Sequence, residues 1–335
     1  MVKTSIGEMK QTKNDKGIQI RRKLKAIWYG YRYFWRHYVR YLPNCNRDYY
    51  TDEDSFLSVM ISNYHTIEKS LTMPEFEPGH GKERVLVVCS DLVKYRERGF
   101  STQNVQYISA LQAVDEYKRL HEAAGVSLGK ELDNAIAAAL DGQVFEKYNH
   151  PRVTASAFFP DVDFAAFARS RHSVRAFADK EIPMSVIEEC VDIARTTPTA
   201  CNRQPNKTYV VSDKEMIVRI ARLQGGGRGF VEKADKLLIV TSSVHVFGNT
   251  EICEAFKSGG MYTMNLLYAL HSKHIGACTL EWNERIPEDD ALRKMIGISD
   301  AEEIIMVIAA AYPLDEFRYV TSERNELKKS ISVIQ

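Results

Sequence analysis

The chain has 335 residues with 18 glycines, 10 prolines, 44% apolar and 27% charged side chains, a mix that excludes disorder, collagen and coiled-coil arrays as the main architecture. No run approaches the roughly 18 apolar residues of a membrane span, and an opening that carries Lys3, Glu8, Lys10, Lys13 and Lys16 is unlike a secretory leader, so a cytoplasmic protein is expected, with peripheral membrane attachment as a variant. Residues 1–50 hold 12 Lys/Arg against Glu8, Asp15 and Asp48, a local charge of +9 that leaves −8 for the remainder.

Within this basic arm Leu24, Ile27, Trp28, Tyr31, Trp35, Tyr38, Val39 and Leu42 recur at three- and four-residue steps, and Lys25, Arg32, Arg36 and Arg40 fall between them. The spacing predicts a basic, aromatic amphipathic helix. Three readings fit it: a membrane interface, protein docking through residues 21–42, or packing of the apolar stripe against residues 55–150 with the arginines in water. Nucleic acid is not expected as a partner, because the basic excess sits in one terminal arm and not across a reading surface.

From 55 to about 150 the pattern is helical. Phe56, Val59, Met60 and Tyr64 share one face, and 102–122 and 130–140 have similar spacing. His65 and Glu68 lie one turn apart, which suits a helix-surface hydrogen bond. The six cysteines form no CxxC pair and no cluster of metal-ligand spacing, so no metal is expected.

After Pro160 shorter helices alternate with short β-branched runs. Asp163 can cap a helix ending near Ser170, and Pro183 can open another that buries Ile187, Cys190, Val191 and Ala194. Strands are predicted at 207–212, 236–242, 276–281 and 303–311. Ser212 with Glu215 has capping-box spacing, and Pro287 and Gly297 bracket a last helix. The chain thus divides into an arm at 1–50, a helical region at 51–160 and an α/β or α+β unit at 161–335.

Two clusters carry the chemistry. In Arg171-His172-Ser173-Val174-Arg175, an extended backbone puts Arg171, Ser173 and Arg175 on one side. Two guanidinium forks with a hydroxyl between them suit a phosphate or carboxylate; a solvated basic turn is the plainer alternative. In the proline-bounded Pro198-Thr199-Ala200-Cys201-Asn202-Arg203-Gln204-Pro205 loop, two amides can meet the donors and acceptors of a heterocycle edge. Gly225–Gly229 lacks the continuation of a phosphate loop and reads as a mobile loop, while His245 and Cys278 read as core or strand residues.

The two clusters, some 25 residues apart, together with Gly260–Leu270 and Ile275-Gly276-Ala277-Cys278-Thr279-Leu280-Glu281-Trp282, resemble the FMN-dependent nitroreductase family over roughly residues 163–328. The resemblance implies an α+β fold with a central mixed sheet flanked by helices, preceded here by a mostly helical N-terminal region. It implies FMN as cofactor, with Arg171, His172, Ser173 and Arg175 on its phosphate, ribityl chain and pyrimidine edge. Asn202 and Gln204 would belong to the loop on the isoalloxazine, Leu280 and the Glu281 backbone N–H would lie near flavin N5, and Arg324 would close on the phosphate.

The resemblance further implies NAD(P)H as electron donor, a small organic acceptor of nitroaromatic or quinone type, and a homodimer with the flavin between subunits. No catalytic side chain is assigned, because in such enzymes the flavin carries the redox chemistry. Arg203 is bulkier than the small residue often found there, and Ser322 replaces a frequent second basic residue. The extra N-terminal half leaves two alternatives: a non-catalytic flavin-binding or scaffold protein, and a specialised flavin oxidase or dehydrogenase of narrow substrate.

Overall fold

The computed structural model describes every residue except 1–2, 47–51, 74–76, 149–161, 283–284, 323 and 335, and the backbone alone for 3–17. The boundary expected near 160 therefore lies outside the described residues. The chain opens with one 42-residue helix, α1 (Lys3–Asn44). Four helices follow: α2 (Glu53–Leu71), α3 (Lys82–Glu97), α4 (Val105–Ala123) and α5 (Lys130–Leu140).

Asp52 starts α2 by accepting the Ser55 N–H at 2.8 Å, while the Ser55 hydroxyl reaches back toward the Asp52 backbone. This reciprocal box satisfies two donors that a helix start otherwise leaves open. The four helices share their own core, in which Phe56, Met60, Leu92, Tyr95, Tyr107 and Ile136 are fully buried. His65 and Glu68 form the expected surface pair at 2.9 Å.

The C-terminal half holds α6 (Phe164–Ser170), α7 (Met184–Ala194), β1 (Asn206–Val211), α8 (Lys214–Gln224), β2 (Lys236–Ser243), α9 (Glu254–Ser272), β3 (Gly276–Glu281), α10 (Ile286–Ile296) and β4 (Glu302–Ala311). Strand order is β1-β2-β4-β3. Alternate residues of β2 feed opposite faces: Leu237 and Ile239 pack with Ile217, Ile220 and Leu292 of α8 and α10, and Leu238 and Val240 pack with Ile187, Leu266 and Leu270 of α7 and α9. Burial on both faces explains why this strand reads as a continuous apolar run without polar alternation.

The fold is α+β, with helices on both sides of the sheet and a helical N-terminal region. Among the described residues every strand pairing is antiparallel, which corrects the expected mixed sheet. The parallel neighbours β2 and β3 never meet because β4 is inserted between them. Two starts also shift by one residue. The cap of α8 is Asp213, which accepts the Met216 N–H at 2.7 Å, where Ser212 was expected. Pro183 is the residue before the first turn of α7 and not within it.

Candidate functional site

The Arg171–Arg175 segment leaves α6 in extended conformation and is fastened to the sheet edge. The Val174 N–H donates to Ala277 O of β3 at 3.0 Å, the Ala178 N–H to Tyr312 O at 2.8 Å, and the Leu314 N–H to Ala176 O at 3.1 Å. Val174 fills the space over Gly276, where a Cβ would come within 2.8 Å of Val174 Cγ1. The segment is therefore a rigid strap along β3.

Arg171, Ser173 and Arg175 all bear on the Cys278 thiol. Burial pushes the Cys278 thiol up, while Arg175, a hydrogen bond with Ser173 and Arg171 pull it back. The Arg175 guanidinium also lies 5.8 Å from the centre of the Phe230 ring. Cys278 itself is buried in β3, as expected of a strand residue.

Arg171 and His172 line a cavity of about 490 Å³ together with Arg169, His271, His274 and Tyr319. Five of its lining residues are basic types and none is a carboxylate, so the cavity suits an anion. The His172 ring stacks on Tyr319 with centroids 4.4 Å apart, and Ser170 Oγ lies 2.8 Å from His271 Nε2. His271 is held below the ordinary histidine range by burial and by the charges of Arg171, His274 and His172. An anion in the cavity would reverse that repulsion.

The second cluster is shaped by backbone strain. Cys201, Asn202 and Gln204 are left-handed, with φ of 51°, 57° and 50°, a region that costs non-glycine residues free energy and persists where surroundings enforce it. The enforcing contacts are visible. The Gln204 N–H donates to Thr199 Oγ1 at 3.0 Å, and the Asn202 N–H to Thr199 O at 3.0 Å. Arg203 turns inward, with Nη1 2.8 Å from Glu251 Oε2, Nη2 2.5 Å from Glu251 Oε1, and further bonds to Val246 O and Ala200 O. Its guanidinium covers the Phe247 ring. Its bulk is thus spent inside the protein, and Asn202 and Gln204 are left exposed.

Residues 168–227 match the model of the nitroreductase family, a stretch that contains both the strap and the strained loop. The similarity extends beyond that stretch over about half of the chain. A protein of Archaeoglobus fulgidus, provisionally named NADH dehydrogenase/NAD(P)H nitroreductase, is 27% identical over 152 residues, covering 44% of this chain and 83% of that protein. A similarly named protein of Methanothermobacter thermautotrophicus is 26% identical over 159 residues, 46% of this chain and 79% of the relative. A provisionally named nitroreductase of Desulfovibrio desulfuricans, solved in complex with FMN, is 19% identical with a TM-score of 0.45, covering 52% of this chain and 99% of that one.

Within one chain the second cluster faces a different space from the basic cavity beside the strap. Gln204 and Arg203 line a separate space of about 290 Å³ against Asp54, Leu57 and Ile61 of α2. Leu280 is buried at the end of β3, and the adjoining Glu281 is exposed, its carbonyl accepting from Gln224 Nε2 at 3.0 Å. The Gly225–Gly229 turn leans on Leu280: a Cβ on Gly227 would meet Val231 Cγ2 at 2.1 Å and Leu280 Cδ2 at 3.3 Å. Arg324 does not line the basic cavity; its Nη1 donates to Ser322 O at 2.5 Å, and the C-terminal segment lends the cavity Phe317 and Tyr319.

Sequence reasoning missed Arg169, His271, His274 and Tyr319. The one-turn spacing of His271 and His274 at the end of α9 was the available signal. His245, read as a core or strand residue, lies just past β2 and holds the helical region against the domain, with Nε2 3.1 Å from Asp52 Oδ2 and Nδ1 3.1 Å from Asn44 O.

Proposed function

We propose that this chain is an FMN-dependent oxidoreductase that takes electrons from NAD(P)H and delivers them to a small organic acceptor of nitroaromatic or quinone type. The observation that carries the reading is the strap fastened to β3, which bears Arg171, Ser173 and Arg175 and whose Arg171 and His172 line a basic cavity free of carboxylates. That donor set fits the terminal phosphate of FMN: the guanidinium forks offer parallel donors, and the Ser173 hydroxyl and His172 add further ones. The names of the archaeal relatives support NAD(P)H as donor.

When bound, FMN would supply the redox chemistry, accepting hydride at N5 and passing electrons on. The chain's part is binding and electrostatics. Arg171 and His172 would hold the phosphate, and Arg175, exposed at the end of the strap, would balance negative charge at the pyrimidine edge. Leu280 and the Glu281 backbone would border the reacting side. The separation of the strap from Asn202 and Gln204 within one chain supports a homodimer, in which the 198–205 loop of a second copy completes the site.

The visible spectrum tests this. Protein purified with FMN should be yellow, bleach on anaerobic addition of NADPH, and regain its colour when a quinone is added. A colourless protein with no FMN binding in fluorescence titration overturns the proposal.

A further inference from the structure

Helix α1 meets the rest of the chain with one face near its C-terminus. Arg36 pairs with Asp289 at 3.4 Å and with Asp290, Arg40 with Glu303 at 2.9 Å, and His37 with Glu303 at 3.0 Å. The Tyr41 hydroxyl donates to Gly248 O at 2.6 Å. The apolar stripe is turned the other way. On a helix of 3.6 residues per turn, Ile20, Leu24, Ile27, Trp28, Tyr31, Phe34, Trp35 and Tyr38 centre roughly 150° from the docked residues. Trp28, Tyr31, Phe34 and Trp35 are 56%, 60%, 72% and 53% exposed.

Of the three readings of the stripe, packing against residues 55–150 does not hold: the basic face docks on acidic groups and the aromatic face is outermost. Trp28, Tyr31, Trp35 and Tyr38 stack in sequence with centroids 6.5, 6.3 and 5.8 Å apart. Arg21, Lys25 and Arg32 flank one edge of the stripe and Lys23 the other, and none of them pairs with a carboxylate among the described residues.

We propose that residues 18–39 of α1 lie flat in the interface of an anionic lipid surface, with the aromatic stripe in the headgroup boundary and the rest of the chain on the water side. Opposition of the two faces is what permits this, since a helix lying on the bilayer by its stripe lifts its docked partner away from the surface. Charge selects the occupant. Residues 16–47 contain no Asp/Glu to offset Arg21, Lys23, Lys25 and Arg32, so two copies pairing through the stripe would align like charges along both edges, whereas anionic headgroups neutralise them. Trp and Tyr beside flanking Lys and Arg is the composition of interfacial helices. Among the described residues no helix is long and apolar enough to cross a membrane, so the helix lies on the surface and does not span it. The inference is independent of the flavin reading.

The test is co-sedimentation of the full chain with vesicles of phosphatidylcholine alone or mixed with phosphatidylserine, read together with tryptophan emission. Two of the three tryptophans sit on the stripe and Trp282 is buried, so emission reports the helix. Pelleting with the anionic vesicles, a blue shift, and release by added salt are expected. Lys23→Glu with Lys25→Glu should weaken binding at least tenfold, each charge contributing about fivefold before reversal. Trp28→Ser with Trp35→Ser should abolish the shift. Both pairs are exposed, so an unchanged melting temperature shows that the fold is intact. Failure to pellet at low salt overturns the proposal, as does equal binding to neutral vesicles. An oligomer that Trp28→Ser with Trp35→Ser dissociates, without lipid binding, overturns it in favour of a second copy.

Discussion

Arg203→Ala removes a residue that faces away from the proposed flavin and should nevertheless weaken flavin binding. In the intact chain the guanidinium makes bonds to Glu251, Val246 O and Ala200 O, and its side chain is 9% exposed. A hydrogen bond to a charged group contributes about 1.5–3 kcal/mol net. Glu251 is a third exposed and keeps the Gly248 N–H at 2.8 Å, so its stranded carboxylate is largely solvated and the loss comes to about 2–4 kcal/mol. At about 2–4 °C per kcal/mol, the melting temperature should fall by roughly 5–15 °C. The left-handed Cys201, Asn202 and Gln204 would lose their anchor and relax, lowering FMN affinity by roughly tenfold or more.

Differential scanning calorimetry and FMN fluorescence titration are the assays for Arg203→Ala. The acid limb adds a signed check. Glu251 is held below its ordinary range first by the Arg203 hydrogen bond, against burial, with help from the Gly248 N–H. Its contribution is therefore present above about pH 4.3 and lost as pH falls through the lower folded value. The gap between parent and variant should narrow below that point. A variant that melts with the parent at neutral pH and binds FMN equally refutes the assignment of Arg203 as the loop's anchor.

Arg171→Ala should leave the fold intact and weaken FMN retention roughly tenfold or more, since one charge-assisted bond is lost; equal retention in dialysis would refute the phosphate assignment. The chain should sediment as a dimer, and FMN should raise its melting temperature with ligand concentration; a monomer with full flavin occupancy would contradict the shared site. Gly276→Ala places a methyl 2.8 Å from Val174 Cγ1 and 3.3 Å from Ala311 O. Shifting the strap should cost about 1–3 kcal/mol and weaken FMN binding in titration, and a variant indistinguishable from the parent would show the strap to be pliable.

The four strands were legible to within a residue, because runs such as Leu237–Val240 are buried on both faces and advertise themselves as β-branched and apolar. Arg171, His172 and Val174 line the cavity and Ser173 and Arg175 are not among its lining residues, so of the strap only the extended backbone was legible. Pairing direction was not, since the position of β4 between β2 and β3 depends on contacts far apart in sequence. The inward turn of Arg203 was hidden too, because Glu251, 48 residues away, is marked by no local pattern. The arm was read with the right periodicity, but periodicity fixes the faces of a helix and does not say which one the acidic Asp289, Asp290 and Glu303 will claim.

The strand order also governs how the chain can be made. β4 is an interior strand, flanked by β2 and β3, yet it is the last to leave the ribosome. Until residues 302–311 emerge, β2 has a partner on one edge only, and β3 has none. The helical region, closed on its own local core, can fold while the rest is being synthesised, but the sheet must wait with an open apolar edge. A nascent chain that stalls before β4 should therefore depend on chaperones, and premature termination between β2 and residue 302 should yield an aggregation-prone fragment.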